Sequence, residues 1–325
     1  MSGATDPEIT VVALGGNALL DPNLPPTVDN QFATTTRAIK PIADLIEQGL
    51  RLVLTHGNGP QVGFMALRSE IAAGSLHEVP LDSLVADTQG AIGYMVQRAL
   101  REELRVRGVH VEVVAIITEV EVDPNDLSFQ EPTKPIGAFH TAEEVPLLER
   151  TRGWTMVEDA HRGYRRVVAS PAPVDIVQLE VIRRLADEGV VVICCGGGGI
   201  PVTRDPAGHI VGVEGVVDKD RASALLAGRL HARRLALTTA VDGIYEGFLG
   251  PSPTLLRDCT PAQLRVLGAT GQFPPGSMGP KVKACVRFVE QGGDSAVVCR
   301  PEALVDALAG RAGTRVSAHP LTEIA

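Results

Sequence analysis

The chain has 325 residues, with 30 basic against 39 acidic side chains and a formal net charge of −9. That balance argues against a duplex-DNA binder, which needs a basic stripe, and no apolar run approaches the roughly 20 residues of a membrane span. Apolar residues at 44% and charged residues at 21% fit a globular protein rather than a disordered one.

The opening run Ile9–Leu14 is apolar and β-branched and stops at Gly15-Gly16, which predicts a buried strand. Phe32, Ile39, Ile42 and Ile46 recur at helical spacing, so one amphipathic helix is expected next, ending near Gly49. Arg51–Thr55 reads as a second strand, followed by the turn His56-Gly57-Asn58-Gly59-Pro60, with Pro60 opening a helix. Asp87 is placed to cap a long helix with Ile92, Met95, Val96, Ala99 and Leu100 on its apolar face. Val109–Ile117 reads as a third strand. From about Glu119 to Pro173 the regular period is lost, which predicts a long insertion or a small subdomain. A helix over Val174–Glu188 and a strand over Val190–Cys195 follow. The second half continues with a helix over Asp218–Leu230, a strand over Arg234–Thr239, a helix over Pro280–Gln291, a strand over Ala296–Cys299 and a last helix from Pro301. Such alternation predicts an α/β fold with a mainly parallel open sheet covered on both faces.

Three glycine-rich turns end predicted strands: Gly15-Gly16-Asn17, Gly57-Asn58-Gly59 and Gly196-Gly197-Gly198-Gly199. In open α/β sheets ligands bind beyond the carboxyl ends of the strands. Backbone without side chains can approach a phosphate and point N–H groups at it. No Gly-Lys dipeptide occurs, so there is no Walker A loop, and no turn fits G-x-G-x-x-G, which argues against a nicotinamide-dependent dehydrogenase.

The cations divide into 25 Arg and five Lys. Lys134 lies in Pro132-Thr133-Lys134-Pro135-Ile136-Gly137, Lys219 stands between Asp218 and Asp220, and Lys281 follows Gly276-Ser277-Met278-Gly279-Pro280. A lysine at a helix start opposes the dipole, and an anionic ligand there reverses the sign. Phosphoryl transfer needs this inventory of compact charges and open backbone, with Asp218 and Asp220 available to orient a lysine or to hold Mg²⁺ through water. Lys40 and Lys283 lack such a context and read as surface residues. His56 reads as structural or anion-facing rather than as a general base. The five cysteines are odd in number and lack metal-ligand spacing. With a polar N-terminus free of a signal-peptide pattern, they predict a soluble cytoplasmic protein with reduced thiols.

Together these motifs resemble the carbamate kinases of the amino acid kinase fold over nearly the whole chain. The resemblance rests on Val12–Ala18, His56–Gly63, Thr88–Tyr94, Pro132–Gly137, Gly163–Val168, Gly196–Pro201, Val217–Asp220 and Gly276–Lys281. It implies a three-layer αβα sandwich. An N-terminal substrate lobe would span residues 1–173 and carry a protruding subdomain over about 119–173. A nucleotide lobe would span 174–325.

The resemblance also implies reversible phosphoryl transfer between ATP and carbamate, giving ADP and carbamoyl phosphate, with Mg²⁺ carried by the nucleotide. It further implies a homodimer, while the charge and composition above already point to no nucleic-acid and no membrane partner. Gly15, Gly16, Asn17, Gly57, Asn58 and Gly59 would cradle the phosphoryl group and the small substrate. Lys134 would cover the substrate side, replacing a lysine that related kinases carry at the place of Ala13. Lys219, oriented by Asp220, and Lys281 would bind the nucleotide phosphates. Asp242, Tyr245, Ser277 and Met278 would line the base and ribose. No dedicated metal cage is implied. The chain departs from the pattern at Ala240, in the segment 21–26, and at Val157 and Ala172. A kinase of the same fold acting on another small carboxylate or carbamate, or a non-catalytic nucleotide-binding regulator, are the alternatives.

Overall fold

The computed structural model describes residues 8–159, 162–248, 250, 252–274, 276 and 278–319. Strand β1 (Ile9–Leu14) is buried along its whole length. Two helices follow, α1 (Val28–Ala38) and α2 (Lys40–Glu47), where one was expected. Pro41 has no N–H to offer the carbonyl of Arg37, which accepts from Ile39 instead, so the helix breaks there. Strand β2 (Arg51–His56) and helices α3 (Gly59–Ala72) and α4 (Leu81–Arg107) come next. Asp87 does not cap α4 but lies inside it. Leu81, Leu84 and Val85 are buried on the same helix, so its apolar stripe begins upstream of Asp87. The third strand shrinks to β3 (Val113–Ala115).

The aperiodic segment is built of strands and a helix rather than a loop. Its strands are β4 (Glu119–Val122), β5 (Lys134–His140), β6 (Thr155–Glu158), β7 (Tyr164–Val168) and β8 (Pro173–Ile176), with α5 (Val145–Arg152) between β5 and β6. β5, β7 and β6 form a three-stranded antiparallel sheet. Part of the helix expected over 174–188 is strand β8, and the helix proper is α6 (Leu179–Asp187). Then follow β9 (Val191–Ile193), β10 (Ile200–Arg204), β11 (Ile210–Gly212), α7 (Lys219–Arg229) and β12 (Arg234–Thr238). β11, β10, β4 and β8 make a separate four-stranded sheet. The chain continues through β13 (Tyr245–Glu246), β14 (Thr254–Leu255), β15 (Asp258–Cys259), α8 (Pro261–Ala269), α9 (Met278–Glu290) and β16 (Ser295–Cys299). A 3-10 turn at Pro301–Ala303 leads into α10 (Leu304–Leu308), and β17 (Thr314–Ser317) closes the described chain.

Eight strands form the main sheet in the order β15-β17-β16-β12-β1-β2-β9-β3. Its ladders are parallel except for β16 with β17. Alternation along β1 sends Val11 and Ala13 to one face and Val12 and Leu14 to the other. The first face packs against Leu226 of α7 and Val282 and Phe288 of α9. The second packs against Ile42 of α2 and Ile92, Val96 and Leu100 of α4. This is the expected αβα sandwich. No helix among the described residues is long and apolar enough to cross a membrane. The register pairs Leu14 with His56 and Ala13 with Leu237. The turn after β1 therefore sits between those after β2 and β12, at one carboxyl edge.

Candidate active site

The first two glycine turns meet at that edge. The N–H of Gly15 donates to Thr238 Oγ1 at 2.8 Å, and the N–H of Gly57 donates to the Leu14 carbonyl at 3.1 Å. A Cβ on Gly15 would lie 2.6 Å from the Thr238 carbonyl oxygen, so this position admits only glycine. Gly16 and Gly59 have nothing within 4 Å of such a Cβ and are exposed. Their backbone is open to a ligand. Gly59 opens α3, so the helix N-terminus adds N–H groups that favour an anion. Asn58 is buried and donates from Nδ2 to Thr88 Oγ1 at 2.8 Å. The Asn17 side chain and all of Ser277 lie outside the described residues.

The third glycine turn has a different task from the one expected. Gly196, Gly197, Gly198 and Gly199 are all buried. A Cβ would meet His56 Nε2 at 2.4 Å from Gly196, Asn58 Nδ2 at 2.3 Å from Gly197 and the Val217 carbonyl oxygen at 2.0 Å from Gly198. These glycines let the residues before α7 and after β2 close on one another, and they line no open ligand surface. His56 beneath them is buried, with Nδ1 3.0 Å from the Gly57 carbonyl. Burial pushes its imidazole down to about 4; the bond to Gly57 opposes this, and the charge of Lys219 adds to it. The ring is neutral at pH 7.

The lysines gather at the start of α7. Asp218 caps that helix, its Oδ1 accepting from the N–H groups of Asp220 and Arg221 at 3.0 and 3.2 Å. The other oxygen of Asp218 lies 3.5 Å from Lys134 Nζ, at the start of β5. Lys219 Nζ donates to the Leu14 carbonyl at 3.3 Å. It also lies 3.1 Å from Asp220 Oδ1, a close ion pair without the alignment of a hydrogen bond. Lys281, in the first turn of α9, donates from Nζ to Asp220 Oδ2 at 2.8 Å. Asp220 is only 4% exposed. Burial alone would raise its carboxyl, but the charges of Lys219 and Lys281 overcome this and hold it below the usual range. Burial lowers the Lys219 ammonium, Lys281 lowers it further, and Asp220 opposes both.

Lys134, Lys219, Asp220 and Lys281 thus converge with Gly15, Gly57 and Asn58. Asp242 and Tyr245 form an exposed cluster in the segment after β12. Tyr245 donates its hydroxyl to Asp242 Oδ2 at 3.0 Å, and Arg300 donates to Asp242 Oδ1 at 2.6 Å. Arg300 escaped sequence reasoning, although its place directly after a strand at the same edge was a usable signal. Met278 opens α9 and packs partly against the core on the α7 and α9 face.

Residues 8–300 match the sequence profile of the amino acid kinase family. The chain belongs to the amino acid kinase family. Within that family it is 45% identical to a carbamate kinase of Pyrococcus horikoshii over 96% of this chain and 99% of the relative. It is 44% identical to a carbamate kinase of Clostridium perfringens, covering 94% of this chain and 98% of the relative. A solved structure of the family, carbamate kinase from Giardia lamblia bound to AMP-PNP, superposes with a TM-score of 0.90 at 38% identity, covering 96% of this chain and 98% of that one.

Proposed function

We propose that the protein is a carbamate kinase, transferring a phosphoryl group reversibly between ATP and carbamate to give ADP and carbamoyl phosphate. One observation carries the reading beyond the family likeness: Asp220 held between Lys219 and Lys281, beside the turns that follow β1 and β2. Phosphoryl transfer is chiefly a matter of positioning and of stabilising charge on the transferring oxygens. Asp220 holds two ammonium groups in place where little water reaches them. When the nucleotide phosphates arrive, these groups need no reorganisation.

A carbamate oxygen forms its bond to the γ-phosphorus as the bond to the β–γ bridging oxygen breaks, and that electron pair leaves on ADP. Carbamate is already an anion, so no general base is required. A neutral, buried His56 fits this chemistry. Gly15, Gly16, Asn17, Gly57, Asn58 and Gly59 cradle the phosphoryl group and substrate, and Lys134 covers them from the subdomain. Asp242, Tyr245, Ser277 and Met278 line the nucleotide end. Magnesium enters as part of the nucleotide substrate. On this reading residues 1–173 are the substrate lobe and 174–325 the nucleotide lobe. A cytoplasmic homodimer is proposed, with exposed Leu67 and Ile71 of α3 and Tyr94 of α4 as candidate contacts.

The test is ATP formation from ADP and carbamoyl phosphate with Mg²⁺, in the wild type and in Lys134→Ala and Lys219→Ala. Loss in both variants is the expected result. Unchanged turnover in both overturns the site assignment, and an inactive wild type that still binds ATP tightly favours a regulatory protein.

A further inference from the structure

We propose that the chain carries a second anion site, for a small molecule bearing two or more phosphate groups, in the cleft between the subdomain and the outer face of α8 and α9. The cleft holds about 1350 Å³, room enough for a nucleotide-sized ligand. Its walls include neither Lys219, Asp220 nor Lys281, and neither of the first two glycine turns; it borders the phosphoryl site along one side, at Lys134, Asp218 and Gly279-Pro280.

Its charge is opposite to that of the protein. Lys134, Arg165, Arg221, Arg265, Lys283 and Arg287 line it, against the carboxylates of Asp159, Asp218 and Glu290. Those three carboxylates are engaged: Asp218 with Lys134, Asp159 with Arg165, and Glu290 with Arg265. Arg221 helps hold the Asp126 carboxyl low from a distance. Lys283 and Arg287 have no ion-pair partner among the described residues. They stand one turn apart on α9, where like charges repel. A polyvalent phosphate spanning them turns that repulsion into attraction and gains charge-assisted hydrogen bonds.

The cleft also has a route to the phosphoryl site. Lys134 and Asp218 line its rim, and Asp218 caps the helix whose first residue is Lys219. An anion that draws Lys134 from Asp218 shifts both the subdomain lysine and the cap.

The experiment is calorimetric titration of inorganic pyrophosphate, without magnesium, into three proteins: wild type, Lys281→Ala, and the double variant Lys283→Ser with Arg287→Ser. The expected result is a binding event that survives Lys281→Ala and weakens about tenfold or more in the double variant, as loss of charge-assisted bonds requires. The double variant should still form ATP near the wild-type rate, since its exposed changes touch no catalytic group. Wild-type binding in the double variant, or loss of all binding in Lys281→Ala, overturns the proposal. Failure of the carbamate kinase reading looks different: ATP formation is then absent from the wild type, whatever the titration gives.

Discussion

Lys281 and Asp220 lie 61 positions apart in sequence and 2.8 Å apart in space, joining the first turn of α9 to the first turn of α7. The carboxylate compensates two largely buried ammonium groups, those of Lys219 and Lys281. Removing one partner from a buried charge cluster leaves the others uncompensated. Asp220→Asn keeps the shape and should cost about 3–5 kcal/mol of stability, read by urea denaturation. ATP formation should fall in the fraction that remains folded. A stability loss no larger than that of an ordinary surface substitution would sink the account.

Lys134 should separate function from stability. Its side chain is 36% exposed, and its pair with Asp218 at 3.5 Å is loose. Exposed pairs contribute about 0–1 kcal/mol, so Lys134→Ala should hardly move the melting temperature. Turnover should fall by roughly 10²–10³, the scale seen when one group stabilising transition-state charge is removed. Lys134→Arg keeps the charge but replaces a compact ammonium with a planar fork and should restore only part of the rate.

Gly198 tests the packing behind the site. Its φ is 96°, and a Cβ there would lie 2.0 Å from the Val217 carbonyl, one residue before the cap of α7. Gly198→Ala combines left-handed strain with a clash against backbone and should destabilise the fold by about 3 kcal/mol or more. Gly16→Ala meets nothing within 4 Å and should fold normally. Paired denaturation curves for the two variants check this difference.

His56 sets a pH dependence. Its pKa falls from 6.5 to about 4 on folding, through burial first. Between these values the unfolded chain binds a proton that the folded chain does not, so stability rises with pH. The contribution is complete above about 6.5 and is lost as pH falls through about 4. The shift corresponds to about 3 kcal/mol. Unfolding free energies across this range should flatten in His56→Asn, and an unchanged slope would remove His56 as the cause.

The main-sheet strands were legible wherever both faces are buried. Ile9–Leu14 and Arg234–Thr238 are short, mainly apolar runs, broken only by Thr10 and bounded by Arg234 and Thr238, because each side of the sheet is covered. Thr314–Ser317 gives no such run: it is short and partly polar, and it pairs antiparallel with β16. The start of α4 is hidden because Asp87 resembles a cap although the apolar stripe of Leu81, Leu84 and Val85 already precedes it. At the site, each lysine was visible by its turn, but the shared carboxylate of Asp220 was not fixed by spacing, since Lys281 reaches it from another helix. The buried role of Gly196–Gly199 was hidden because a glycine needed for close packing and one needed for an open cradle look alike in sequence.

β1 and β12 are adjacent rungs of one parallel ladder, with β2 on the other side. Neighbouring strands lie roughly 4.7–4.9 Å apart. The separation between the turn after β1 and the turn after β12 is therefore set by backbone hydrogen bonds and not by a hinge. Changes in the β5-β7-β6 sheet can therefore accumulate without moving these two turns relative to one another, because the ladder between β1 and β12 does not pass through it.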